Sequence, residues 1–116
     1  MKENLIKDKS YQFSLKIIYL YKKLITDKKE FVLSKQILRS GTSIGANVEE
    51  AVGAQSRNDF VSKLSIAYKE ARETHYWIRL LVDSGYLEKT TSEQLLNDCE
   101  EILRIIGKIQ TSTKAR

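Results

Sequence analysis

The sequence predicts an all-α chain folded as an antiparallel up-and-down four-helix bundle. Three observations carry that prediction. Proline is absent and only five glycines occur in 116 residues, so little in the chain forces a long helix to break. Apolar residues recur at three- and four-residue spacing in four separate stretches, with almost no strand-type alternation. Short polar connections separate the stretches, which favours antiparallel neighbours. At 13.4 kDa, residues 1–116 are one domain with room for a single core.

The first helix is expected over about 10–27. Phe13, Ile17, Leu20, Tyr21 and Leu24 form one stripe, widened by Ile18 and Ile25. The second is expected over about 32–52, with Ile37, Ile44, Val48, Ala51 and Val52 in register. Gly41 and Gly45 lie inside it, one turn apart. Each costs about 1 kcal/mol against alanine, and the unbroken stripe around them implies a closely packed neighbouring backbone. Gly53 to Ser56 breaks the chain, and Ser56 with Asp59 reads as an N-cap with an acid in the first turn. The third helix follows over about 57–84 and stops at Gly85, a suitable residue just past a helix end. The fourth is expected over about 91–110, opened by Thr90 or Thr91, of which Thr91 fits a capping box with Gln94. Leu95, Cys99, Ile102, Ile106 and Ile109 line its inner face, and the tail from Thr111 is expected to fray.

A composition of 41% hydrophobic and 30% charged residues excludes a disordered tail. No apolar run approaches the roughly 18 residues that span a bilayer, and Met1-Lys2-Glu3-Asn4 does not lead into the apolar stretch of a secretory signal. A single cysteine, Cys99, makes no internal disulfide and implies a reducing, cytoplasmic setting. The net charge of +5 is uneven: residues 1–30 hold eight lysines against four acids. A basic chain can neutralise phosphates, and +5 is equally compatible with plain solubility.

The third helix is apolar over more of its surface than the single face a bundle helix normally buries. Phe60, Leu64, Ala67, Ala71, Ile78 and Val82 form the core face. Ile66, Glu70, Glu73, Trp77 and Leu80 form a second stripe about a third of a turn away. Either this stripe covers a loop or a neighbouring helix end, or Ile66, Trp77 and Leu80 anchor a second copy. Ser40, Ser43, Asn47 and Glu50, spaced i, i+3, i+7 and i+10 with Arg39 beside them, make a polar stripe on the second helix that can answer Glu70 and Glu73 on the third. A structural network pairing Arg39 or Asn47 with a carboxylate is the expected role.

Catalytic readings fail for want of residues. A di-metal bundle needs Glu-x-x-His on two helices, and the one histidine, His75, sits in no such motif. Zinc needs more than one Cys and one His. Gly41 and Gly45 precede no Lys-Ser/Thr pair, and nothing places a serine beside His75. No enzyme activity, cofactor or metal is expected.

Two long blocks resemble a known family. The first is Gln36-Ile37, Arg39-Ser40, Ser43-Ile44, Asn47-Val48 and Glu50; the second is Asp59-Phe60, Leu64 to Ala67, Lys69 to Ala71, Glu73-Thr74 and Tyr76 to Leu81. Both are similar to the four-helix proteins of the 23S ribosomal RNA intervening-sequence family, over about residues 10–110. One departure is Glu50-Ala51, where many members have Glu-Gly; the glycine here is Gly53. The resemblance implies an up-and-down bundle like the subunits of ring-shaped homopentamers. Some members are encoded inside ribosomal RNA gene insertions. Related bundles are accessory proteins of diversity-generating retroelements, thought to bind nucleic acid and a reverse transcriptase. It supplies no catalytic residue.

The functional expectation is therefore a non-enzymatic homo-oligomer, a pentamer on the strength of the resemblance. It would bind RNA or DNA through Lys16, Lys22, Lys23, Lys28, Lys29, Arg57, Lys63 and Arg72. The alternative is a scaffold that docks another protein, with no nucleic-acid role. No membrane partner is expected.

Overall fold

The computed structural model describes residues 2–114, and they form four helices in chain order: α1 (Lys2–Thr26), α2 (Leu33–Val52), α3 (Arg57–Asp83) and α4 (Lys89–Lys114). Each helix packs against the next and α4 closes back on α1, while among the described residues the backbones of the diagonal pairs, α1/α3 and α2/α4, stay apart. Cross-helix contacts run in reverse order along neighbours, as antiparallel packing requires. Lys7 reaches Glu49 and Gly41 meets Ile17 between α1 and α2. Lys63 reaches Glu50 and Thr74 reaches Ser40 between α3 and α2. The body measures 47 × 22 × 19 Å, and the 27 residues of α3 at ~1.5 Å each nearly span its long axis.

One core fills the centre. Phe13, Ile17 and Leu24 meet Ile37, Ile44 and Val48, then Leu64, Ala67, Ala71 and Ile78, then Cys99, Ile102 and Ile106. Several core expectations miss their mark at the edges. Leu20, Phe60, Val82 and Leu95 are only partly covered, and Val52 and Ile18 face solvent. Conversely, Leu81 and Thr74 are fully buried, and the Thr74 hydroxyl is satisfied there, donating to Glu70 O (2.8 Å) and accepting from Ser40 Oγ (2.8 Å).

The helix ends show where local chemistry decides. Ser56 Oγ accepts from the Asp59 amide at 3.0 Å, the expected N-cap of α3. Its C-terminus closes as a Schellman motif: Gly85 (φ 89°) donates to Val82 O and Tyr86 to Leu81 O. Gly53 ends α2, its amide donating to Glu49 O.

α1 begins eight residues earlier than expected, because Ile6 repeats the core stripe one heptad before Phe13 and is fully buried. α4 begins at Lys89, two residues early. The capping box therefore does not form: Thr91 lies inside the helix, its hydroxyl donating back to Glu88 O, while Gln94 donates to Asp98. α4 runs on past Thr111 instead of ending before it. Residues 111–114 are helical, and Thr113 O accepts a bond from Arg57. Residues 115 and 116, the end of that expectation, lie outside the described residues.

Candidate nucleic-acid interface

The fold does not gather the eight basic residues of the sequence prediction into one patch. Lys22 and Lys23 end α1, and Lys28 and Lys29 lie in the connection to α2. All four are exposed. Arg57 opens α3 at the opposite end of the bundle and Arg72 stands exposed midway along it. Lys16 reaches across the α1/α4 seam to Asp98 at 2.6 Å. Lys63 pairs with Glu50 at 2.9 Å, which raises the ammonium above the ordinary lysine range.

Ion pairing thus neutralises part of the positive charge and leaves part free. Lys7, Lys9, Lys16, Arg39 and Lys63 all meet carboxylates. Among the described residues, none of Lys22, Lys23, Lys28 and Lys29 lies in an ion pair. Lys23 Nζ instead sits 5.2 Å from the ring centre of exposed Tyr19, in cation–π range. Lys23 also complements the negative end of the α1 dipole.

Beside that end, the α1/α4 seam opens into a groove of about 490 Å³ lined by Tyr19, Leu20, Lys23, Tyr86, Leu95 and Asp98, among others. Its walls carry three lysines (Lys16, Lys23, Lys28) and three carboxylates (Asp27, Glu88, Asp98). The groove is therefore not a positive trough. A second hollow of about 300 Å³ continues along the same seam past the Lys16–Asp98 pair, toward Leu5 and Phe13.

The polar stripes of α2 and α3 do meet. Arg39 Nη1 donates to Glu70 Oε1 at 3.0 Å, and its Nη2 donates to Glu73 Oε2. The same Glu73 oxygen accepts from Trp77 Nε1 at 2.9 Å. Trp77 and Arg39 together hold the Glu73 carboxyl below its usual range against the opposing cost of burial. The two carboxylates, Glu73 foremost, in turn raise the Arg39 guanidinium. Ser43 and Asn47 stay outside this network and bond their own helix, at Arg39 O and Ser43 O. Glu50 serves Lys63 instead.

Of the residues expected to anchor a second copy, Ile66 is 38% exposed, whereas Trp77 and Leu80 are partly covered within the chain itself. Trp77 also packs edge-on against Tyr76, 5.2 Å between ring centres. Sequence reasoning missed a more open apolar face on α1. Tyr11, Leu15 and Ile18, spaced i, i+4 and i+7, are all exposed. The signal for it is the excess of apolar residues on α1 over a single stripe, and Ile18 reads as core only through its adjacency to Ile17.

His75 and Cys99 are both engaged by neighbouring groups. His75 Nδ1 accepts from Arg79 Nε at 3.1 Å, which leaves Nε2–H to donate to Glu100 at 2.9 Å. Cys99 is buried and its Sγ lies 3.2 Å from Ala71 O. Burial, with Glu100 and Asp98 nearby, pushes its thiol up to about 12. Among the described residues no three His, Cys, Asp or Glu side chains converge as metal ligands, and no helix is long and apolar enough to cross a membrane.

This fold and surface define a class: small four-helix bundle proteins braced by inter-helix ion pairs. More particularly, the chain belongs to the family of 23S rRNA-intervening sequence proteins, whose family model matches residues 2–108. It is similar to a crystal structure of a protein with unknown function from the S23 ribosomal protein family of Bacteroides thetaiotaomicron VPI-5482. The two are 53% identical with a TM-score of 0.94, over 96% of this chain and 99% of that one. No curated protein matches the chain.

Proposed function

We propose that the protein is a non-enzymatic, homo-oligomeric bundle that binds RNA or DNA in the cytoplasm. The observation that carries this reading is a cluster of exposed lysines at one end of the bundle. Lys7, Lys9, Lys16 and Lys63 along the bundle meet carboxylates and Lys69 and Lys108 do not, but only at one end do four lysines, Lys22, Lys23, Lys28 and Lys29, gather within eight residues of chain, exposed and outside any ion pair of the described residues. Symmetry would multiply that end. Five copies, the number implied by resemblance to ring-forming members, would pool lysine clusters into a field that attracts a polyanion. The exposed α1 face of Tyr11, Leu15 and Ile18, with Ile66 on α3, supplies apolar surface for self-association.

Light scattering of the purified chain, with its 260/280 absorbance ratio, tests both parts together. A multiple of 13.4 kDa is expected. RNA affinity should fall steeply with salt, as phosphate neutralisation demands. A monomer removes the oligomer, and a salt-independent affinity removes the nucleic-acid reading.

The α1 face also favours a second reading, a scaffold that docks a protein partner there with the lysines incidental. Recovery of a protein partner from nuclease-treated lysate, lost on Leu15→Glu, would support it.

A further inference from the structure

The connection between α1 and α2 displays two apolar side chains that the fold leaves uncovered. Phe31 is 53% exposed and Val32 71% exposed. The segment is not slack. Glu30 is buried, and its carboxylate accepts from the amides of Val32 (3.3 Å), Leu33 (3.1 Å) and Ser34 (2.7 Å). Its own amide donates to Leu24 O at 3.0 Å, and its carbonyl accepts from Ser34 Oγ at 2.7 Å. Lys29, just before it, takes a left-handed φ of 54°, which a non-glycine residue adopts rarely. The backbone on both sides of Phe31 is therefore braced, and the exposed ring projects from a segment ordered in advance of any partner.

Lysines outnumber acids in the segment around it. Lys28 and Lys29 precede the ring and Lys35 follows one turn into α2, all exposed. Asp27 is the sole exposed acid between Lys22 and Lys35, since the Glu30 carboxylate is engaged by amides. An exposed aromatic face on a braced segment among free cations is the pattern by which proteins hold unpaired bases: the ring stacks and the lysines take the phosphates. A duplex offers no free base face to such a ring.

We propose that this corner binds single-stranded nucleic acid, stacking an unpaired base on Phe31 while Lys28 and Lys29 hold the flanking phosphates. The proposal rests on the nucleic-acid reading above and adds the mode and the strandedness. Two apolar residues are too little for a stable bilayer anchor, and the lysines select a polyanion over an apolar protein surface.

The test uses the full chain with a single-stranded RNA carrying 2-aminopurine, the same sequence as DNA, and the RNA duplex. Binding of a single strand should quench the 2-aminopurine fluorescence. Phe31→Ala should abolish the quench and weaken single-strand affinity about tenfold, leaving duplex affinity unchanged, and Phe31→Trp should restore both. Lys28→Gln with Lys29→Gln should lower the single-strand salt slope by about 1.4. The RNA and DNA arms show whether the 2′-hydroxyl contributes. If the wild type binds single strands and Phe31→Ala binds equally well, stacking is overturned and the broader reading stands. If the wild type binds none of the three at low salt, both fall. A change of oligomeric mass on Phe31→Ala, or Phe31-dependent capture by anionic vesicles without nucleic-acid binding, also overturns the proposal.

Discussion

Gly41 of α2 lies so close to Ile17 of α1 that a Cβ built on it would sit 2.7 Å from Ile17 Cγ1 and 2.8 Å from Cγ2. Ile17 is fully buried and branched at Cβ, itself only 3.2 Å away, so it cannot rotate clear. The glycine sets the distance between the two helices. Gly45, one turn on, does the same against Ser14 Oγ (3.1 Å) and Ser10 O (3.3 Å).

Gly41→Ala should therefore destabilise despite alanine's better helix propensity. The propensity gain of about 1 kcal/mol is set against overpacking of about 1–3 kcal/mol, for a net loss near 1 kcal/mol. Gly107→Ala is the control: a methyl group there would meet nothing within 4 Å, so it should stabilise by up to about 1 kcal/mol. Urea midpoints by circular dichroism read both. Equal shifts in the same direction would sink the close-packing account.

Glu30 should matter to stability more than its place in a loop suggests. It satisfies three backbone amides at the start of α2, where no residue at the helix boundary supplies a side-chain cap. Glu30→Ala should cost about 2 kcal/mol, combining a lost cap with buried amides left unpaired. Glu30→Gln, keeping one acceptor oxygen, should cost less. Thermal or urea melts in which both variants match the wild type would refute the role.

Much of this fold was legible because periodicity is a sum over many residues. Phe13, Ile17 and Leu24 needed only their spacing, as did Ile37, Ile44 and Val48. Ser56 and Gly85 were legible because N-caps and positive-φ ends carry few residue types. Glu30 was not, since it caps from outside the positions where caps are sought, across a turn whose shape depends on Lys29. The false capping box at Thr91 arose from a four-residue match that carries no information about where the preceding chain leaves α3. For the candidate interface, the sequence supplied the cations but not their pairing. Lys16 with Asp98 and Lys63 with Glu50 join residues distant in the chain, so only the packed bundle separates neutralised charge from free.

The Arg39–Glu73–Trp77 network predicts an acid-sensitive contribution. Glu73 is more acidic in the folded chain than its ordinary value of 4.5, so its stabilisation is full above that value and is lost as the pH falls through the folded pKa. The stability gap between wild type and Glu73→Gln should be level near neutrality, at about 0.5 kcal/mol for a partly solvated pair, and should close below about pH 4.5. Trp77 emission should shift over the same range, because its indole N–H loses a charged acceptor. A gap that widens on acidification would contradict the arrangement.

Cys99 should behave as a reporter of unfolding rather than as a reactive thiol. Its side chain is wholly buried between α4 and the Ala71 carbonyl of α3, and burial raises its pKa to about 12. Thiolate is the attacking species, so two barriers stand between this sulfur and a thiol reagent: too little ionisation at neutral pH and no access. Alkylation of the native chain should therefore be far slower than that of a free thiol. Its rate should rise with urea in step with global unfolding, because α4 must leave α3 before the sulfur is reached. Mass spectrometry of iodoacetamide-treated samples across a urea series measures this. Rapid labelling without denaturant would mean that α4 opens locally, and the α3/α4 seam would then be the weak side of the bundle.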